Sequence, residues 1–168
     1  MKKSLPRQRR GFTLMEVIVS LAIIITALIS VITLISSGVS GIAFGKTKIT
    51  AFGLAQEGLE IVRNVRDNNW INYKRTVSDW RDGLSAGNWC VQYNSQNLLA
   101  YSAVPLKIDS NGFYQYDSGN NTIFYRRIII SNINDNQFKV IARVTWQERG
   151  KTQTMEAESR LYNWMKEE

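Results

Sequence analysis

The 168-residue chain contains no histidine, one cysteine and two prolines. Without His there is no His-based catalytic triad, no His metal ligand and no ordinary near-neutral proton shuttle. A lone cysteine, Cys90, excludes an intrachain disulfide framework and a Cys-only zinc site. Ser and Asp are plentiful, but no base is placed to activate a nucleophile, so the sequence does not read as an enzyme and calls for no cofactor. Prolines stand only at Pro6 and Pro105, which leaves residues 7–104 without that helix breaker. Acidic residues are missing from residues 1–11, MKKSLPRQRRG, which carry Lys2, Lys3, Arg7, Arg9 and Arg10. From Phe12 to Gly45 the one charged residue is Glu16.

What is present follows from that uneven charge. The formal net charge is +7, and five of those charges lie in the first ten residues. Without them, 16 Lys and Arg face 14 acids, which leaves +2. Global basicity therefore argues for the topology of the N-terminus rather than for nucleic acid. Val17 to Ile35 is an uncharged run of 19 residues. A helix from Phe12 to Ile35 would be about 36 Å long, enough for a hydrocarbon core of roughly 30 Å. A secretory signal has a shorter apolar region followed by a small-residue cleavage site. The expectation is thus a retained single span, its basic end in the cytoplasm and its C-terminal part outside. An acid such as Glu16, about one turn inside an apolar helix, is costly at depth and marks a functional position. The rival account is a border residue reaching the headgroups.

Order, spacing and residue type in Gly11-Phe12-Thr13-Leu14-Met15-Glu16 are specific. A basic leader, Gly, Phe-Thr-Leu, one residue, Glu and then about twenty apolar residues resembles the class III signal of type IV pilins and pseudopilins. The match covers roughly residues 1–40. It implies that prepilin peptidase cuts between Gly11 and Phe12 on the cytoplasmic side and N-methylates Phe12. Glycine suits such a site because it lets a protease approach the backbone closely. The resemblance also implies that Glu16 sets the register of a subunit entering a filament. The new α-amino cation at Phe12 and the Glu16 carboxylate can neutralise one another in low dielectric. Implied partners are prepilin peptidase, other pilin or pseudopilin subunits, the cytoplasmic membrane and the assembly platform. Many major pilins carry a proline within the apolar helix. Here Gly38, Gly41 and Gly45 are the nearest weak points, at about 1 kcal/mol each against Ala.

Beyond the apolar run, Ile49, Phe52, Ala55, Leu59, Val62 and Val65 recur at helical spacing and predict one apolar stripe. Arg63 and Asp67 stand four apart and can pair. The pattern predicts a helix from Phe12 to about Val65, stopped at Asp67-Asn68-Asn69. Its Ala55–Glu60 segment resembles minor pilins of the I and V type. A loop to about Ala86 follows, with Trp70, Tyr73 and Trp80 pinning it to a sheet. Predicted strands are Trp89–Tyr93, an ambiguous Leu98–Ile108 broken at Pro105, Phe113–Tyr116 and Thr122–Ile130. Turn signals at residues 110–112 and 118–121 flank the third of these. Phe138, Val140, Ala142, Val144 and Trp146 alternate strictly with polar residues. Glu148-Arg149-Gly150-Lys151 reads as a hairpin turn. It leads into Thr152–Tyr162, with Met155, Ala157, Ser159 and Leu161 inward. The organisation is a leader at 1–11, an assembly helix at 12–45, its amphipathic continuation at 46–66 and a domain at 67–168. A long helix packed on an antiparallel sheet is an α+β fold.

Other candidate chemistries in the sequence have plainer readings. Asp109, Asn111 and Asp117 supply oxygens a calcium ion would take, but EF-hand spacing is missing and Asx turns account for them at least as well. The expectation is no metal. Arg126 and Arg127, with Tyr125 and Trp146, have the residue types that stack on single-stranded nucleic acid. They alternate faces, so the plainer reading is a solvated face plus one rim arginine, and nucleic acid is disfavoured. Cys90 reads as a small buried residue. The sequence therefore points to a minor pilin or minor pseudopilin precursor. Its alternatives are a DNA-binding subunit of an uptake pilus and an unrelated membrane-anchored binding protein.

Overall fold

The computed structural model describes residues 11–72 and 79–164. The basic residues before Gly11, and Tyr73 in the expected loop, lie outside the described residues. The chain divides between Gly45 and Lys46 into two compact units.

Among the described residues a long helix, α1 (Leu14–Ile71), is followed by eight strands. These are β1 (Gly87–Cys90), β2 (Leu99–Ala100), β3 (Lys107–Ile108), β4 (Tyr114–Gln115), β5 (Asn120–Asn121), β6 (Tyr125–Asn134), β7 (Gln137–Glu148) and β8 (Lys151–Tyr162). Five of them form an antiparallel sheet in the order β2-β1-β6-β7-β8, and three form a small sheet in the order β4-β3-β5. The α+β fold expected from the sequence is the one observed: the later turns of α1 pack on the larger sheet.

The packing face follows from β7. Phe138, Val140, Ala142, Val144 and Trp146 are all buried, as their alternation requires. Register pairs place Val140 beside Ile130 and Ala142 beside Ile128 on β6. On the other side Val144 lies beside Met155, and Phe138 beside Leu161, on β8. The β7–β8 hairpin closes through Arg149 and Gly150, with φ of 52° and 73°. Two consecutive positive φ values are those of the two-residue turn that matches strand twist.

Against this face α1 buries Ala51, Leu54, Ala55, Gly58, Ile61, Val62, Val65 and Trp70. The expected stripe was partly misphased. Ile49 and Phe52 are exposed, at 74% and 48%, and Leu59 is half-buried. The sheet selects the face with small residues, because these let the helix axis come close. A Cβ on Gly58 would stand 2.9 Å from Ile128 Cδ1, 3.3 Å from Arg126 Cδ and 3.4 Å from Ala142 Cβ.

The helix also runs past its expected stop at Asp67–Asn69. Tertiary contacts carry it on. Trp70 stacks on Trp80 at 6.5 Å, and Trp80 in turn stacks on Phe138 at 5.2 Å. Asn69 Nδ2 donates to the carbonyls of Trp80 and Asp82 at 3.2 and 2.7 Å. Trp80 thus pins its segment to the sheet as expected, whereas Trp70 belongs to the helix. Arg63 pairs backward with Glu60, and Asp67 pairs with Arg66, in place of the expected Arg63–Asp67 contact.

Strand boundaries shift elsewhere. β1 begins at Gly87 and ends at Cys90. The ambiguous 98–108 segment divides into β2 and β3 with Pro105 between them, consistent with proline's missing donor. Asn120–Asn121, expected as turn, forms β5 against Lys107 and Ile108. Gly119 enters that strand at φ 112°, and a Cβ there would meet Ile108 O at 2.3 Å. β6 starts at Tyr125 rather than Thr122, because the Thr122 N–H and hydroxyl both bond Leu106 O, at 2.8 and 2.6 Å.

Candidate functional site

Three groups of residues matter here: the head of α1, the apolar turns that follow it, and a buried arginine under the helix's later turns.

Helix-start chemistry explains the head of α1. Thr13 is the residue before the first helical position. Its Oγ1 accepts the Glu16 N–H at 3.3 Å, and its carbonyl accepts the Val17 N–H at 3.2 Å. Thr13-x-x-Glu16 is therefore the sequence form of a capping box, with the Thr half of the exchange made. Sequence reasoning missed this, although the spacing was there to read. Glu16 lies in the first turn of α1, where a carboxylate meets the positive end of the helix dipole. Gly11, Phe12 and Glu16 are all exposed, and Phe12 is 81% exposed.

The next turns present apolar surface in every direction. Every residue from Gly11 to Val39 is exposed, including twelve of the Ile, Leu and Val side chains between Val17 and Leu34. By length and composition α1 is able to cross a membrane. Most hydroxyls in this run are satisfied within the helix. Thr26, Ser30, Thr33 and Ser37 each donate to the carbonyl four residues back, at 2.8–3.0 Å. A hydroxyl satisfied in this way adds little penalty in hydrocarbon. The α-helix runs unbroken through Gly38, Gly41 and Gly45, and a Cβ on any of the three would meet nothing within 4 Å.

Arg126 overturns the expectation of a solvated face or rim. It is 1% exposed and lies under α1. Its guanidinium donates to Leu54 O at 3.1 Å and Glu57 Oε1 at 3.0 Å on the helix, and to Val91 O at 2.6 Å after β1. The Arg126 Nε–H finds no partner. This side chain ties helix to sheet through one cation, as Arg's several donors allow. The strand phase could have revealed it: Arg126 shares the parity of Ile128 and Ile130, both buried. Trp146 is buried too, so neither Arg126 nor Trp146 is on a surface where a base could stack. Arg127 faces the other way, its Nη2 donating to Tyr101 Oη at 2.8 Å while the guanidinium lies over that ring.

Tyr116 belongs to the same network, its hydroxyl donating to Arg126 O at 3.3 Å. Burial holds the Tyr116 phenol well above its ordinary range, and the Arg126 cation opposes that only in part. Tyr114 is raised as well, by burial first and then by the Glu57 charge. The Asp79 carboxyl is lowered: burial pushes it up, but hydrogen bonds and charge from Arg81 outweigh that.

Both candidate calcium carboxylates already accept hydrogen bonds within the protein. Asp109 Oδ1 accepts the N–H groups of Asn111 and Phe113 at 2.8 and 2.9 Å, an Asx turn. Asp117 Oδ2 accepts Gln92 Nε2 at 2.7 Å. Among the described residues no group of His, Cys, Asp and Glu is arranged to hold a metal ion. Cys90 is buried, with the Ser102 N–H and carbonyl 3.5 Å from its sulfur, as a small core residue would be. Comparison with protein-family models, with curated proteins and with solved structures finds no match for this chain.

Proposed function

We propose that the chain is the precursor of a type IV pilin-like subunit, a minor pilin or minor pseudopilin. Prepilin peptidase cuts it after Gly11 and methylates Phe12. The mature subunit waits in the cytoplasmic membrane with its C-terminal domain outside. It then joins a pilus or secretion pseudopilus through α1, with the assembly platform and other subunits as partners. The observation that carries this reading is the division of labour along α1. Its early turns are apolar and uncovered on every side, directly after a Gly-Phe-Thr-x-x-Glu start, while its later turns are buried on a sheet. A helix that only anchored a domain would need the apolar run but no acid in its first turn. In a filament of packed helices, Glu16 would meet the Phe12 ammonium of the same or a neighbouring subunit.

N-terminal sequencing and intact mass of the chain from cells carrying prepilin peptidase test the proposal. Methylated Phe12 is expected. Recovery of Met1 from the membrane-inserted protein removes the reading. Glu16→Ala should leave processing intact and abolish entry into filaments, whereas a change that blocks cleavage at Gly11 should abolish both. Filaments built from uncut protein would defeat the mechanism.

A further inference from the structure

A polar cleft of about 440 Å³ opens in the C-terminal unit between α1 and the turn after β1. That volume falls in the range of roughly 300–1,000 Å³ typical of small-molecule sites. One wall comes from the exposed face of α1, where Glu60, Asn64 and Asn68 recur at helical spacing. The other is the turn carrying Tyr93, Asn94 and Gln96.

This second wall is held in place. Ser95 Oγ accepts the Gln92 N–H and the Ser95 N–H donates to Gln92 O, both at 2.9 Å. Gln92 is itself buried and reaches across to Asp117 and to the Tyr116 N–H. Phe113 stacks on the Tyr93 ring at 4.6 Å, yet Tyr93 stays 41% exposed.

The wall chemistry selects a class of ligand. Asn64 Oδ1 accepts Asn68 Nδ2 at 2.6 Å. That bond leaves the Asn64 amide nitrogen to donate and the Asn68 amide oxygen to accept. Asn94 and Gln96 are exposed and add two more donor–acceptor amides. The carboxylates are matched, Glu60 by Arg63 and Glu57 by Arg126, so the cleft has no excess charge to attract an ion. Among its lining residues Ile61 and Tyr93 are the apolar ones, which offers little to an apolar side chain. A hydroxyl both donates and accepts, and the carbon face of a sugar ring suits an exposed aromatic ring. We infer that this cleft binds a neutral saccharide of one or two rings. Its amides hold the hydroxyls and Tyr93 takes the ring face. An extended peptide would need apolar subsites or an open strand edge.

The test uses the full-length chain in micelles of a zwitterionic detergent that carries no sugar. Saturation-transfer NMR is run with maltose, cellobiose, lactose and N,N′-diacetylchitobiose, and with an uncharged Gly/Ser pentapeptide. At least one sugar should receive saturation. Its affinity should fall about tenfold or more in the double variant Asn94→Ala, Gln96→Ala. Asn97→Ala, just beyond the wall, should change nothing. Thermal melts confirm that the variants fold. The inference is overturned if all four sugars stay silent with the folded chain. Sugar binding that survives the double change, or transfer to the pentapeptide alone, overturns it equally. It does not rest on the pilin-like reading: Met1 retained at the N-terminus would leave it standing, and silent sugars would leave that reading standing.

Discussion

The two halves of α1 share a backbone conformation and differ in everything else. From Leu14 to Val39 the helix carries large aliphatic residues on all sides, and every one of these residues is exposed among the described residues. From Ala51 to Trp70 it carries charges and amides outward and buries a stripe built around Ala51, Ala55 and Gly58. The half with more apolar surface buries less. Burial is decided by a partner with a matching face. The later turns find theirs in the inner side of β6, β7 and β8. The early turns are exposed among the described residues, and an apolar surface of that extent marks a membrane or protein contact.

The comparison can be broken most forcefully at Arg126. Arg126→Ala removes three donor contacts and leaves space under α1. It should cost about 3–5 kcal/mol in chemical unfolding of the C-terminal unit. Arg126→Met, which keeps most of the volume, should cost clearly less. Ile25→Ala in the early half should leave that unfolding curve unmoved. A loss as small in Arg126→Ala as in Ile25→Ala would mean the cation does not join helix to sheet.

Glycine substitutions sharpen the contrast. Gly58→Val should destabilise by about 1–3 kcal/mol, because its side chain enters space held by Ile128 and Ala142. Gly41→Ala enters open space and should favour the helix by up to about 1 kcal/mol, read as higher helicity in micelles. Opposite signs at the two sites are the signature of one covered and one uncovered half.

A pH effect comes next in size. Tyr116 holds its proton more tightly folded than unfolded, chiefly because it is buried. The stability this confers is whole below the ordinary phenol value of about 10 and drains as pH rises towards the folded value. Alkaline melts of the wild type should therefore fall away above about pH 10, and Tyr116→Phe should flatten that limb. Unfolding of the early half should show no such dependence. The smallest effect is expected at Thr13→Ala. It removes the cap and should cost about 1 kcal/mol, seen as faster amide exchange at Glu16 while the C-terminal melt stays fixed.

Legibility in the sequence tracked locality. β7 was readable because five apolar residues alternate without a break. The β7–β8 turn was readable because Arg149-Gly150 stands between two such patterns. The start of α1 carries two readings in the same few residues, the proposed processing signal and the capping sequence Thr13-x-x-Glu16. The end of α1 was misread at Asp67-Asn68-Asn69, since local propensity favours a stop there. Asn69 and Trp70 instead find partners at Trp80 and Asp82, ten to thirteen residues on. The stripe was misphased for a similar reason. Hydrophobicity favoured Ile49 and Phe52, whereas the sheet needed the closest approach, which Gly58 permits.

The sequence by itself determined the charge asymmetry, the uncharged run long enough for a membrane, the acid in the first turn and the α+β order of elements. Each rests on residues near one another in the chain, so composition and periodicity carry them. Only the tertiary structure decided which groups the inward-facing Arg126 ties together, that Ile49 and Phe52 stay outside, and that Asn64, Asn68, Asn94 and Gln96 line one cleft. Those outcomes depend on residues far apart in the chain meeting at angstrom distances. No local pattern encodes such a meeting until helix and sheet have chosen their faces.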